Sequence, residues 1–153
     1  DDQGLQRALR VPEVDARIHM ALNCGARGCP AVAVYQGPTL DEELTEAVAS
    51  FVADDGNVRV SKVPGEPTKV ALTELFKMYL EDWAGPGATP KSAESQAKVI
   101  RWLLPHARGL KSELLTGAVA PGAEPFKFEW LPYDWETNGT EVPLDSRVYT
   151  PTW

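Results

Sequence analysis

Four residues between positions 19 and 29 could do chemistry together: His19, Cys24, Arg27 and Cys29. They lie in the stretch Ile18–Pro30, which holds both cysteines of the chain and one of its two histidines. The chemistry such a set offers is nucleophilic attack by sulfur. A thiolate attacks and a thiol does not, so the cysteine needs a base or a cation close by. His19 is the candidate base, Cys24 the candidate nucleophile and Arg27 the candidate cation. The turn glycines could present backbone N–H groups to an oxyanion. His19 and Cys24 are five residues apart, and on a strand an odd separation puts side chains on opposite faces. Contact therefore requires the turn to fold back. Asp134 and Asn138 are candidates for the group that orients the base.

Two structural readings of the same cysteines stand beside the chemical one. Cys24 and Cys29 can form a disulfide across a tight glycine turn, a short loop worth less than the roughly 3 kcal/mol of a 15-residue loop. Both can also remain reduced and packed as small apolar side chains. Zinc usually takes four protein ligands, and Cys24, Cys29 and His19 supply three, so neither a metal nor a cofactor is expected. His106, after a helix and beside Pro105, reads as a solvated helix-end histidine.

The elements that must hold these residues follow from periodicity. The run 18–22 reads as a short buried strand and 31–35 as a second extended run. Thr39 and Glu42 have capping-box spacing ahead of a helix over 40–54, with Leu40, Leu44, Ala47, Val48, Phe51 and Val52 on one face. The segments 58–63 and 68–72 read as a hairpin around Pro64–Pro67. Thr73 and Ser92 are placed to cap helices over 74–84 and 92–104. Residues 107–125 are turn-rich, and 126–130 alternate as a strand. Trp83, Trp102, Trp130 and Trp135 are expected in the core. The sum is one α+β domain over residues 1–140: about three principal helices on a small, mostly antiparallel sheet. Residues 141–153 form an extended tail whose Tyr149 and Trp153 are candidate partner-binding anchors.

Composition narrows the function classes. With 153 residues and 43% hydrophobic content the chain can bury one sizeable core. A net charge of −7 argues against a nucleic-acid surface. No run approaches the roughly 18 apolar residues of a membrane-spanning helix. The chain starts at Asp1 rather than Met, the expectation for a processed N-terminus and a non-cytosolic location such as a periplasm or organelle lumen.

The order of motifs resembles the domain of unknown function 547 family. Asp15-Ala-Arg-Ile-His-Met-Ala-Leu-Asn-Cys-Gly-Ala-Arg-Gly-Cys-Pro30 is similar to its signature. Leu72–Trp83 is similar to its helix before a Gly-rich loop, and Leu131–Asn138 to its terminal turn. The family pattern usually has Ser where this chain has Gly28. The resemblance also implies a longer N-terminal helical half that this sequence lacks, so the chain is expected to carry the C-terminal portion. Two functions are carried forward. The first is a non-catalytic interaction or accessory subunit of a larger assembly of protein chains. The alternative is a thiol-dependent hydrolase or transferase resembling papain- or transglutaminase-like enzymes, with Cys24 as nucleophile and His19 as base.

Overall fold

The structure, a computed structural model, describes residues 13–139 together with Gly4. The tail at 141–153, with Tyr149 and Trp153, lies outside the described residues, as do residues 1–12 apart from Gly4. Five α-helices and three strands make up the described chain: α1 (Leu40–Ala53), β1 (Val58–Ser61), β2 (Lys69–Thr73), α2 (Leu75–Met78), α3 (Leu80–Ala84), α4 (Ala93–Leu103), α5 (Gly109–Ala118) and β3 (Lys127–Leu131). The class is α+β, as expected.

The sheet is smaller than the five segments proposed from the sequence, and it is mixed. β1 and β2 form the expected antiparallel hairpin, with Val58 opposite Leu72 and Val60 opposite Val70. β3 joins the other side of β2 in parallel, with Leu72 opposite Trp130. A parallel neighbour needs a long crossover, and α2–α5 supply it. Residues 18–22 are not a strand. Ala16–Met20 is a 3-10 helix that buries Ala16, His19 and Met20. Residues 31–35 pair with no strand, and Ala31–Val34 are exposed. Short apolar runs do not distinguish these outcomes, because burial on one side is all that they encode.

The helices differ in their ends. The hydroxyl of Thr39 does not cap α1; it donates to Glu43 Oε1 at 2.8 Å, while Glu43 Oε2 accepts the Gln36 N–H at 2.7 Å. The 3-10 turn Gly37–Thr39 runs straight into α1, which moves the capping carboxylate one residue beyond the Glu42 of the capping box. Thr73 ends β2 instead of capping a helix, and its N–H donates to Asn57 O. Ser92 caps α4 as expected, accepting from the Ser95 N–H. The helix expected over 74–84 breaks at Tyr79, whose φ of −117° and ψ of 35° are not helical. α5 lies in the segment read as turn-rich, where Gly109 and Gly117 obscured a helix that buries Leu115 and Ala118.

The core is the layer between sheet and helices. Val48 and Val52 of α1, Val70 and Leu72 of β2, Phe76 of α2, Ile100 and Leu103 of α4 and Leu115 of α5 are all fully buried. Each such side chain contributes about 1.5–3 kcal/mol of transfer free energy. Trp83 is in this core, Trp102 and Trp130 are packed at its margin, and Trp135 is 66% exposed, contrary to expectation.

Candidate thiol site

The 3-10 helix that carries His19 is tied down by its own polar residues. Asp15 Oδ1 caps it by accepting the Arg17 N–H at 3.0 Å. The Arg17 guanidinium then bridges Asp15 at 2.7 Å and Asp41 Oδ1 at 2.8 Å, and donates to Thr45 Oγ1 at 2.9 Å. These bonds fasten the segment to the first turns of α1 and turn His19 inward.

His19 is 7% exposed. Its ring stacks on Tyr79, centroids 4.0 Å apart, and lies 5.0 Å from the Trp83 ring. The non-helical Tyr79 between α2 and α3 therefore has a use: it lays its ring flat against the imidazole. His19 Nε2 is 2.8 Å from Asp82 Oδ2. With Asp82 ionised, the proton belongs on Nε2 and the lone pair on Nδ1, the tautomer of a general base. Among the described residues no hydrogen bond occupies Nδ1.

The cysteine turn is stapled from within and clasped from outside. Asn23 Oδ1 accepts the Gly25 N–H and Asn23 Nδ2 donates to Pro30 O, both at 2.7 Å, so one amide ties both ends of the turn. Gly25 takes a φ of +88°, a conformation in which a side chain is strained. Residues 133–138 run antiparallel across the turn: the Arg27 N–H donates to Glu136 O at 2.8 Å, Gly28 N–H to Asp134 O at 2.9 Å and Asn138 N–H to Gly25 O at 2.7 Å.

Both cysteines are free thiols, with their sulfurs 3.2 Å apart, well outside the roughly 2.05 Å of a disulfide bond. Cys24 is exposed and Cys29 is half-buried. Cys29 Sγ accepts from the Tyr133 hydroxyl at 3.1 Å and from the Cys24 N–H at 3.2 Å. Burial pushes the Cys29 thiol up. The Tyr133 hydroxyl, the Cys24 N–H, the Cys24 thiol and the Ala26 backbone act against it, and the balance brings Cys29 down to about 7. Burial and the Cys29 sulfur raise Tyr133, keeping its hydroxyl protonated and available as a donor.

Three expectations from the sequence are corrected here. Arg27 is not the cation beside the thiolate; it forms an ion pair with Glu136, at the outer side of the clasp. Asp134 and Asn138 do not orient His19; both lie on the clasp, where Asp134 Oδ1 accepts the Glu136 N–H. The turn glycines do not offer N–H groups to an oxyanion, because Gly25 donates to Asn23 and Gly28 to Asp134. The orienting carboxylate is Asp82, which sequence reasoning missed. Its signal was the spacing Tyr79, Asp82, Trp83, which puts three residues on one helical face. Tyr133 and Asn23 were also missed as parts of the site.

His19, Cys24, Cys29, Tyr79 and Tyr133 line one small cleft of about 180 Å³. Cys29 also borders a larger cleft of about 560 Å³, walled by Met20, Tyr35, Glu46, Phe51 and Asp54. His19 makes no hydrogen bond to either sulfur among the described residues; the cleft is what they share. Among the same residues no cluster of three or more His, Cys, Asp or Glu could hold a metal ion.

Residues 2–52 match the family model described as protein of unknown function, DUF547. The matched stretch, a third of the chain, is similar to a portion of a DUF547 domain. The matched residues include His19, both cysteines and all but the last residue of α1; Asp82 and Tyr133 lie beyond them. No curated protein and no solved structure matches the chain. No helix among the described residues is long and apolar enough to cross a membrane.

Proposed function

We propose that the protein is a thiol-dependent hydrolase or transferase in which Cys29 is the nucleophile and His19 the general base, oriented by Asp82. The observation that carries this reading is that a buried histidine, paired with a carboxylate at 2.8 Å, opens onto the same cleft as a thiol brought down to about 7. A half-formed thiolate at neutral pH is close to the optimum between nucleophile concentration and intrinsic reactivity. Cys29 is favoured over Cys24 because donors converge on its sulfur and because it borders both clefts. In the first step His19 Nδ1 takes the Cys29 thiol proton as the sulfur attacks an acyl carbon; the bond to the leaving group breaks, the leaving group departs with that proton from the His19 imidazolium, and a thioester remains. Water or a second acceptor then takes the acyl group, with His19 removing its proton. The Cys24 N–H and the Tyr133 hydroxyl serve the thiolate in this scheme, so the fraction of Cys29 present as nucleophile is set by those two donors.

Acetylation by p-nitrophenyl acetate tests it. A burst of one p-nitrophenolate per chain, with an acetyl group located on Cys29 by peptide mass, is expected. The burst disappears in Cys29→Ser and slows at least about tenfold in Asp82→Asn, because the wrong imidazole tautomer is then allowed. Equal acetylation of both cysteines at the rate of a free thiol, or an unaffected Asp82→Asn, would sink the assignment.

A second reading, an accessory subunit that binds other protein chains, is supported by Val32 and Val34. They are 81% and 87% exposed on an extended segment that pairs with nothing among the described residues. Apolar side chains so exposed side by side are a feature of interaction surfaces. Isolation from the native source in a particle well above 16.7 kDa, dispersed by Val32→Glu with Val34→Glu, is the expected result for that reading. A native monomer unaffected by the pair of changes would dismiss it.

A further inference from the structure

We infer that Cys24 and Cys29 form a site of reversible oxidation by small hydroperoxides, in which Cys29 reacts first and Cys24 resolves it. The inference rests on the reading of Cys29 as the reactive thiol and adds a regulatory chemistry to the same site.

Three observations carry it. The sulfurs already touch at 3.2 Å, so a bond requires them to approach by about 1 Å. The turn between them is held in this approach by bonds on both sides of Gly25, whose N–H donates to Asn23 and whose carbonyl accepts from Asn138, so the remaining movement falls to the exposed Cys24 side chain. The two thiols are unequal. Cys29 is half-buried and its sulfur accepts from the Tyr133 hydroxyl and the Cys24 backbone N–H, whereas Cys24 is exposed. An inequality of this kind fixes the order of events, because thiolate character decides which sulfur is oxidised and exposure decides which can move.

The oxidant class follows from the space. The cleft shared by both sulfurs is about 180 Å³, which has room for hydrogen peroxide or a small alkyl hydroperoxide between them. The Cys29 thiolate attacks the terminal peroxide oxygen. The O–O bond breaks, Cys29 becomes a sulfenic acid, and hydroxide or the alkoxide leaves and takes a proton from solvent. The Cys24 thiol then loses its proton and its sulfur attacks the sulfenic sulfur. The S–O bond breaks and water leaves with the Cys24–Cys29 disulfide formed. The sum consumes two thiols and one hydroperoxide and yields one disulfide, one water and one water or alcohol. Reduction by an external dithiol restores both thiols. While the disulfide persists Cys29 cannot act as a nucleophile, so thiol chemistry at this site stops under peroxide and resumes on reduction.

The reduced chain, treated with a modest excess of hydrogen peroxide and then with N-ethylmaleimide, provides the test. The expected product has lost two hydrogens, takes up no maleimide, gives a cross-linked peptide joining Cys24 to Cys29, and recovers both thiols with dithiothreitol. Cys24→Ser should instead give a dimedone-trappable sulfenic acid at Cys29 that proceeds to the sulfinic acid, with far-ultraviolet circular dichroism unchanged. Accumulation of dimedone-trappable or sulfinic Cys29 in the unaltered chain, or two thiols still open to maleimide, overturns the inference. These readouts are masses of the chain itself, not turnover. A disulfide that forms in a chain giving no acetylation burst leaves the oxidation site standing and removes the enzyme reading; the reverse pattern does the opposite.

Discussion

At the residue scale, the site depends on which atom donates to which. Tyr133 is the donor to the Cys29 sulfur that does not come from the cysteine turn itself. Replacing it with Phe removes that donor and leaves the ring. The midpoint of Cys29 alkylation by iodoacetamide, expected near 7 in the unaltered chain, should then rise by roughly one pH unit, the usual effect of losing a hydrogen bond to a charged acceptor. An unchanged midpoint would mean that the thiolate is held by the turn alone. Gly28 acts on the same contact from the other side. A Cβ there would stand 3.0 Å from Cδ2 and Cε2 of the Tyr133 ring and 3.0 Å from the Asp134 nitrogen. Gly28 leaves a space without a side chain, and Tyr133 packs into it. Gly28→Ser should push the ring back, lengthen the Tyr133–Cys29 bond and raise the alkylation midpoint as Tyr133→Phe does. A midpoint equal to the unaltered chain's would show that the clasp relaxes without moving the ring.

At the element scale, the decisive events are at helix ends. The break at Tyr79 gives the imidazole its stacking partner, while α3 brings Asp82 to Nε2. The C-terminus of α1 is closed by a residue from α5: Lys111 Nζ donates to Val52 O at 2.8 Å, Ala53 O at 3.1 Å and Val58 O at 2.7 Å, and lies 2.9 Å from Asp55. A cation at a helix C-terminus complements the exposed carbonyls and the dipole. Lys111→Met keeps most of the aliphatic stem and removes the donors. It should cost about 1–3 kcal/mol, read as a lower urea midpoint at unchanged slope, because half-buried carbonyls lose their partner. A loss below about 0.5 kcal/mol would place the pair among ordinary surface ion pairs.

At the scale of the whole molecule, His106 and Asp15, both partly buried, act on the acid side of the stability profile beside the ion-paired carboxylates of Asp55, Glu66 and Glu74. His106 is not the solvated histidine read from the sequence. Among the described residues its Nδ1 is buried without a partner, its ring is 5.1 Å from that of Trp102, and burial, aided by the Arg17 charge, lowers its pKa. The folded chain therefore binds this proton less readily than the unfolded chain. Stability is unaffected above the unfolded imidazole value of about 6.5 and falls as pH drops through it toward the lower folded value. Asp15 acts in a lower window. The Arg17 hydrogen bond holds it below the usual carboxylate range, so its stabilisation is complete above about 4 and is lost as pH falls through its depressed folded value. The urea midpoint of the unaltered chain should drop between about pH 7.5 and 5.5, and His106→Asn should flatten that drop. An identical slope in the variant would assign the loss to other groups.

The sequence by itself determined what local chemistry encodes. The α+β class, α1 and α4 and the β1–β2 hairpin could all be read from periodicity, caps and residue type, because those signals act between neighbours a few positions apart. Only the tertiary structure decided the partners. Asp82 reaches His19 across 63 positions and Tyr133 reaches Cys29 across 104, and neither is marked by its local sequence. The same holds for β3, whose parallel place beside β2 depends on a crossover of four helices, and for Arg27, drawn off to Glu136 by the clasp. Which side chain shares a cleft with which is set by how the whole chain buries its apolar surface, a quantity summed over the molecule and written in no single stretch of it.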